Sequence, residues 1–399
     1  MKKSNVFLNT YLIFLAYFFF NPIYTTLIIG LLNKYINKKS VITNLILIFS
    51  FSLFFFNRDY GVDFYFNAND DVPIYVNYFL RLSDYSFLDI INNFIIFPSG
   101  NEPLWHLFWL PVNLLFQGNT DVFIFLHYFL IFYLLLFISK SVFTKNPELV
   151  FILLLTFFQF TLYNVTHLWR QFLAFEIFII GVLSFKKSSR IILIFSSFLI
   201  HLSSLYYIVL YYGYVFLNKF IKSVHKKIIF SLLLLLLFFN ATAFFLGEYF
   251  ERIAYYTQGL SADRNLQSLK SVLFSVILFL SYKKSADLKN KKVLYYIASI
   301  SFLLPLIIPQ FNAVYDRFYS LSFILLAIFL IISSLNIESF KILIKSKLNL
   351  GVFTALLILS SIKLITEYFA NIGVVSYLAS GKFLSLFSGL FFNLTELFL

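Results

Sequence analysis

The sequence predicts an all-α, polytopic membrane protein with about 10–12 transmembrane helices, re-entrant segments and one large outer loop. The chain has 399 residues, of which 60% are hydrophobic and only 12% are charged. Apolar runs long enough to cross a bilayer recur along the whole length. Lysines gather in the short segments between these runs, as expected for loops that stay in the cytoplasm. We therefore expect a single integral membrane domain over residues 1–399.

The apolar runs give the predicted spans. These lie near 10–32, 41–57, 121–139, 148–165, 168–185, 228–247, 268–282, 293–310, 317–336 and 349–370. A last apolar stretch, 376–396, either crosses the membrane or lies in its interface. If the lysine-rich loops are inside, the N-terminus is outside. The segment after Lys3 is too long for a cleavable signal and has no small-residue cleavage site.

Three regions depart from simple spans. Residues 58–120 form the large outer loop, within which 103–116 is too short to cross and carries Pro111, so it is predicted to be re-entrant or interfacial. Residues 189–217 are interrupted at His201, which predicts a pinched hairpin; a single long tilted helix is the alternative. Residues 248–267 form a second outer loop that contains Arg252 and Arg264.

Composition excludes several classes of function. The net charge of +13 arises mostly from lysines in short loops, so it indicates orientation and contact with membrane lipids, not nucleic-acid binding. Cysteine is absent, which rules out disulfide and thiol chemistry. Neither a nucleotide-binding glycine loop nor metal-ligand spacing occurs, and the inner loops are short. We therefore expect no metal, no other cofactor and no ATP-driven transport.

Arginine is distributed opposite to lysine. Six of the seven arginines fall on the predicted outer side, namely Arg58, Arg81, Arg170, Arg252, Arg264 and Arg317, and Arg190 alone joins the lysines. Positive charge is normally depleted on that side. A guanidinium group binds phosphate or carboxylate with two parallel hydrogen bonds, which an ammonium cannot do. The distribution favours an anion-binding task at the outer face, although pairing with the outer acids is the alternative.

Arg170 is the strongest single candidate. It opens the predicted span 168–185, where a helix start offers N–H groups and a positive dipole end to an anion. Gln171 adds a polar side chain, and His167 is predicted on the same helical face one turn earlier. The alternative is that Arg170 only reaches lipid head groups.

Other candidates come from unusual placements. His201 is an ionisable residue at membrane depth, which favours function, although a buried structural histidine is the alternative. Arg317 begins the span 317–336 and so repeats the Arg170 pattern, unless it only pairs with Asp316. In the large loop, carboxylates and aromatic rings suit sugar binding; the candidates are Arg58, Asp63, Tyr65 and Glu102.

An ordered set of motifs carries a family resemblance. The chain contains Arg58 with Gly61-x-Asp63-x-Tyr65, then Glu102-Pro-Leu-Trp, Trp-Arg170-Gln-x-x-Ala, Ile-His201-Leu-Ser-Ser-Leu and Asp-Arg317-Phe-Tyr. Over about residues 10–335 it resembles the EpsG/Wzy-type bacterial polysaccharide polymerases. It departs from their pattern where a phenylalanine separates Asp63 from Tyr65 and where Ser204 replaces a common alanine.

The resemblance implies a multi-pass enzyme of the bacterial cytoplasmic membrane with a GT-C-like helical fold. It would polymerise undecaprenyl-diphosphate-linked oligosaccharide repeat units at the outer face, without a metal and with inversion at the anomeric carbon. Arg170 and Arg317 would bind the diphosphate, and His201 would act as general base or as a diphosphate ligand. The substrate-binding residues would be Arg58, Asp63, Tyr65, Glu102, His167 and Gln171. A flippase and a chain-length regulator are the partners that such an enzyme implies.

Three alternatives stay open. A lipid-phosphate-sugar-dependent GT-C transferase would use an acidic pair in the first outer loop, here Asp70 and Asp71, with a divalent metal. A polysaccharide ligase would have nearly the same site as a polymerase. A flippase for lipid-linked sugars would need charges at mid-membrane on repeated halves, whereas the chain shows no internal repeat.

Overall fold

The computed structural model describes residues 72–84, 103–142, 168–245, 264–285, 290–307 and 312–335, with isolated residues at 44–56, 88, 150–154 and 288. All regular structure in these ranges is helical. The α-helices are α1 (Val72–Leu80), α2 (Pro103–Leu115), α3 (Thr120–Val142), α4 (Trp169–Leu183), α5 (Lys187–Ile200), α6 (Ser204–Leu217), α7 (Val224–Phe245), α8 (Arg264–Lys284), α9 (Lys291–Ile307) and α10 (Asn312–Leu335), and a 3₁₀ turn (Arg81–Asp84) follows α1.

The predicted spans are found as helices wherever the structure describes them. Helices α3, α4, α7, α8 and α9 match the predictions to within a few residues at most ends. Within the described ranges, α3 is the one helix long and apolar enough to cross a membrane, and α6 and Leu321–Ser333 are shorter apolar helices. The spans predicted at 10–32, 349–370 and 376–396 lie outside the described residues. The number of spans stays a prediction.

The outer loop predicted at 58–120 contains more helix than expected. The predicted re-entrant stretch is helix α2, which runs through Pro111, and the short helix α1 precedes it. Gln117 and Gly118 take left-handed backbone conformations, with φ of 49° and 72°, and so end α2. Asn119 then caps α3, because its side-chain oxygen accepts hydrogen bonds from the N–H groups of Asp121 and Val122.

The interruption predicted within 189–217 is confirmed. Helix α5 ends at Ile200, His201 has an extended backbone with φ −157° and ψ 129°, and α6 begins at Ser204. The alternative of a single long helix is therefore wrong. The angle between the two halves, and with it the pinched hairpin, stays a prediction.

The chain divides into two compact units, one formed by Met1–Ser204 with Leu357–Leu399 and the other by Leu205–Leu356. In the first unit, α1, α2 and the 3₁₀ turn pack together beside α3, α4 and α5. Buried rings fill that unit, among them Trp105, Trp109 and Trp169. In the second unit, α8, α9 and α10 pack against one another, and α7 packs against α9.

Helices α4 and α5 form a tight antiparallel hairpin within the first unit. Only Ser184–Lys186 join them, so the chain turns straight back on itself. Arg190 closes the turn by donating a hydrogen bond from Nη2 to the Ser184 carbonyl at 2.7 Å. Gly181 allows close approach, since a Cβ there would lie 3.0 Å from Cγ1 of Ile194. The start of α4 and the end of α5 therefore lie at the same end of the hairpin.

The position of Arg317 differs from the prediction. Helix α10 begins at Asn312, so Arg317 lies in its second turn and not at its start. The residues between Pro309 and Arg317 include no proline or glycine, so no helix-breaking residue separates Asn312 from Arg317. Arg317 is therefore farther from the positive end of the helix dipole than the sequence suggested.

Candidate functional site

Arg170 is the second residue of α4, as the sequence predicted. Leu168 occupies the N-cap position, and no side chain caps the helix. Such a start presents N–H groups from the first turn together with the positive end of the helix dipole. The Arg170 side chain is half-buried and its Nε and Nη1 atoms are buried, so the packing holds its charge at the helix end.

Two tyrosines of α1 hold the Arg170 side chain. The guanidinium carbon lies 4.8 Å from the ring centroid of Tyr75 and 5.9 Å from that of Tyr78. A cation over an aromatic face gains about 0.5–2 kcal/mol. The ring of His106, on α2, meets Tyr78 edge-on with centroids 5.7 Å apart. The guanidinium group is thus oriented by α1, with the half-buried ring of Tyr78 beside it and the half-buried ring of His106 in contact with Tyr78.

Below Tyr75, a stack of rings continues into the core of the first unit. Tyr75 stacks on Trp169 with centroids 5.8 Å apart, and Trp169 stacks on His127 at 4.3 Å. Trp105 lies 5.8 Å from Tyr75 and 5.3 Å from His127. Each such pair adds about 0.5–1.5 kcal/mol beyond the burial of its area. The stack ties α1, α2, α3 and α4 together and fixes Tyr75 beneath the charge.

A buried hydrogen bond sets the relation of α1 to α2. Asn113 on α2 is 1% exposed, and its Nδ2 donates to the carbonyl oxygen of Phe79 at 2.6 Å. Phe79 in turn stacks on Phe123 of α3, with centroids 4.2 Å apart and nearly parallel planes. Because both ends of α1 are held in this way, Tyr75 and Tyr78 cannot move without disturbing the core.

His201 lies at the end of α5 and is half-buried. Its Nδ1 accepts a hydrogen bond from the Ser203 N–H at 3.0 Å and lies 2.7 Å from the Ser203 hydroxyl oxygen. A backbone N–H can only donate, so this contact favours the tautomer in which Nδ1 is the acceptor and Nε2 carries the proton. The Nε2 atom is therefore a hydrogen-bond donor in this arrangement.

A comparison with protein families matches residues 59–379 of the chain to the EpsG family. The chain belongs to the EpsG family. It is thus a polysaccharide polymerase-type membrane protein, as the ordered motifs suggested. No curated protein and no solved structure matches the chain.

In this EpsG family member, several predicted site residues lie outside the described residues, namely Arg58, Asp63, Tyr65, Glu102 and His167. Gln171 follows Arg170 but is only 3% exposed. Arg317 lies in the second unit, and its side chain is outside the described part.

Sequence reasoning missed the partners of Arg170. Tyr75 and Tyr78 are three residues apart, a spacing that places both on one face of a helix. That signal was available only if a helix had been predicted at 72–80. His127 was missed as well; it is fully buried, and neither ring nitrogen has a hydrogen-bond partner among the described residues. Glu176 is also fully buried, and no described residue hydrogen-bonds its carboxylate.

Proposed function

We propose that this protein polymerises lipid-diphosphate-linked oligosaccharide repeat units at the outer face of the bacterial cytoplasmic membrane. The observation that carries the proposal is Arg170, a half-buried arginine in the first turn of α4 that is stacked on Tyr75. A diphosphate leaving group needs a preorganised positive charge. A guanidinium fork at a helix start, held by packing, supplies one without reorganisation during the reaction.

The reaction is a direct displacement. The acceptor hydroxyl oxygen forms a bond to the anomeric carbon of the growing chain, while the bond from that carbon to the diphosphate oxygen breaks. The lipid diphosphate leaves with the bonding electrons and takes up the hydroxyl proton. Attack opposite to the leaving group inverts the anomeric configuration. The main electrostatic task is therefore to stabilise the negative charge that develops on the diphosphate.

His201 acts as a hydrogen-bond donor in this scheme. With Nδ1 engaged by Ser203, the imidazole presents Nε2–H, which suits a diphosphate or sugar oxygen. The α4–α5 hairpin supports the joint action of Arg170 and His201 on one substrate, because the start of α4 and the end of α5 lie at the same end of the hairpin. Of the two roles expected for His201, the geometry favours the ligand over the general base.

The sugars are bound beside the arginine. The half-buried rings of Tyr78 and His106 can stack on the apolar faces of a sugar, since Tyr78 lies next to Arg170 and His106 contacts Tyr78. From the family resemblance we assign Arg58, Asp63, Tyr65 and Glu102 to orienting the sugars, and Arg317 to a second contact with the diphosphate.

The proposal is tested by varying the lipid-linked sugar donor and the supply of divalent metal. Purified protein in liposomes is given either a lipid-diphosphate-linked repeat unit or a lipid-monophosphate sugar, each with EDTA or with Mn²⁺. We expect a polymer ladder from the diphosphate donor in EDTA. Activity only with the monophosphate donor and Mn²⁺ would overturn the proposal in favour of a GT-C transferase that uses Asp70 and Asp71. Transfer of finished polymer to another acceptor, without a ladder, would indicate a ligase.

A further inference from the structure

A second set of charged side chains gathers at one end of the second unit. Helix α7 starts there with His225 and Lys227, α8 ends there with Lys283, and α9 starts there with Lys291. The three helix ends meet around the ring of His225, which lies 5.6 Å from Phe279, 6.1 Å from Tyr282 and 5.7 Å from Tyr295. Lysine content places this end on the cytoplasmic side.

Aromatic rings hold the lysines of this end. The Nζ of Lys227 lies 4.3 Å from the ring centroid of Tyr214 and donates to Oδ1 of Asn218 at 2.5 Å. The Nζ of Lys291 lies 4.5 Å from the centroid of Tyr282. We call the set the inner basic cluster; it consists of Lys227, Lys283, Lys291 and Lys292 with the rings of Tyr214, Phe279, Tyr282 and Tyr295.

The cluster is preorganised. Tyr282 and Tyr295 stack with centroids 4.0 Å apart, and they form a floor for Lys291. Tyr282 also lies within electrostatic range of Tyr214, which connects the Lys291 side of the cluster to the Lys227 side. Lysine side chains that are already stacked lose little freedom when they bind an anion.

Positive charges within the inner basic cluster repel one another. Lys227 is fully buried, and both its burial and the nearby charge of Lys292 lower the pKa of its ammonium group. Among the side chains that the structure describes in the second unit, none is an aspartate or glutamate. The starts of α7 and α9 add two positive dipole ends. A bound anion would relieve the repulsion and reduce the cost of burying Lys227.

Apolar side chains on the same helices show which anion fits. Next to the cluster, α7 exposes Ile229 (59% exposed) and Phe230, and α8 exposes Val276 (50%) and Leu280. A soluble phosphate ion would leave this apolar surface uncovered, whereas the acyl chains of a lipid would cover it. Basic pockets at the cytoplasmic end of helix bundles are suited to anionic head groups.

We propose that the inner basic cluster is a binding site for the phosphate head group of an anionic phospholipid from the inner leaflet. Lys291 and Lys292 contact the phosphate, the tyrosine hydroxyls donate to its oxygens, and the acyl chains lie along α7 and α8. The site is independent of the proposed polymer chemistry, since it can stabilise the second unit whatever the protein transfers.

Lipid binding is tested with the full chain. Wild type, K291Q/K292Q and K186Q/K187Q are titrated with phosphatidylglycerol in neutral detergent, and bound lipid is counted by native mass spectrometry. The control pair removes the same charge at the exposed α4–α5 turn. We expect the first variant to lose about ten-fold in affinity for phosphatidylglycerol and the control to stay unchanged. Equal loss in both variants would overturn the site, because it would mean only a general charge effect.

Two further experiments identify the ligand. In phosphatidylcholine nanodiscs, Lys292→Gln should melt at or above the wild-type temperature, because its repulsion with Lys227 is removed. In phosphatidylglycerol nanodiscs, the variant should melt below the wild type. The same order in both lipids would contradict the proposal. Millimolar inorganic phosphate should not displace the lipid. Displacement by phosphate would replace the lipid with a soluble anion as the ligand.

Discussion

The guanidinium carbon of Arg170 lies 4.8 Å from the centroid of the Tyr75 ring, and that ring stacks on Trp169, the residue before Arg170. Tyr75 is thus clamped between the charge and the indole beside it. The ring belongs to α1 and the charge to α4, so the contact joins the segment 72–84 to the helix that carries the candidate site.

The first prediction concerns the Tyr75 ring. Tyr75→Phe keeps the aromatic face and should retain polymer formation within about three-fold, because cation–π attraction depends on the face and not on the hydroxyl. Tyr75→Leu should lower the rate about ten-fold or more, since the guanidinium loses its platform. Ladder formation in liposomes measures both. Equal activity of the two variants would show that the ring does not position Arg170.

The second prediction separates the two roles of His201. His201→Gln places an amide N–H near the position of Nε2, so it should keep part of the activity that His201→Ala loses. A general base would not be replaced by an amide, and both variants would then be equally inactive. Ser203→Ala should reduce activity by less than about ten-fold, because the Ser203 N–H still bonds Nδ1.

The third prediction concerns the α4–α5 hairpin. In Gly181→Ala, the new methyl group would lie 3.0 Å from Cγ1 of Ile194 and 3.2 Å from its backbone nitrogen, so the helices must separate. Overpacking of this kind costs about 1–3 kcal/mol. We expect a lower melting temperature and a lower rate, because the hairpin positions both Arg170 and His201.

Gly213→Ala is the matched control for the hairpin. Its methyl group would lie 3.7 Å from the Tyr296 hydroxyl, an ordinary contact distance. Replacing a helical glycine by alanine gains up to about 1 kcal/mol. The melting temperature should therefore stay the same or rise. A similar loss in both variants would show that glycine is needed at these positions for another reason.

Much of the fold could be predicted from the sequence because apolar runs bounded by lysines define helices locally. The break between α5 and α6 was predictable for the same reason, since His201, Ser203 and Ser204 interrupt the apolar run and offer hydrogen bonds that compete with helix. The start of α10 was misplaced, because charged Asp316 and Arg317 were taken as the membrane boundary although the helix extends beyond them.

The candidate site was predictable only in part. Arg170 is visible in the sequence because its charge opens an apolar run. Its partners Tyr75 and Tyr78 are distant in sequence, and they lie on a helix too short to be recognised as a span. Contacts between such segments depend on tertiary packing, which local patterns do not encode. The tautomer of His201 likewise follows from a turn geometry that spacing alone does not give.

The most direct test of the central claim is the rate of polymer formation by Arg170→Lys in liposomes with EDTA, beside Arg81→Lys as control. Arg81 is exposed on the neighbouring 3₁₀ turn. Lysine keeps the charge but not the bidentate fork, so we expect Arg170→Lys to lose about 100-fold while Arg81→Lys stays near wild type. Full activity of a folded Arg170→Lys variant would contradict the account, because the diphosphate would then be stabilised elsewhere.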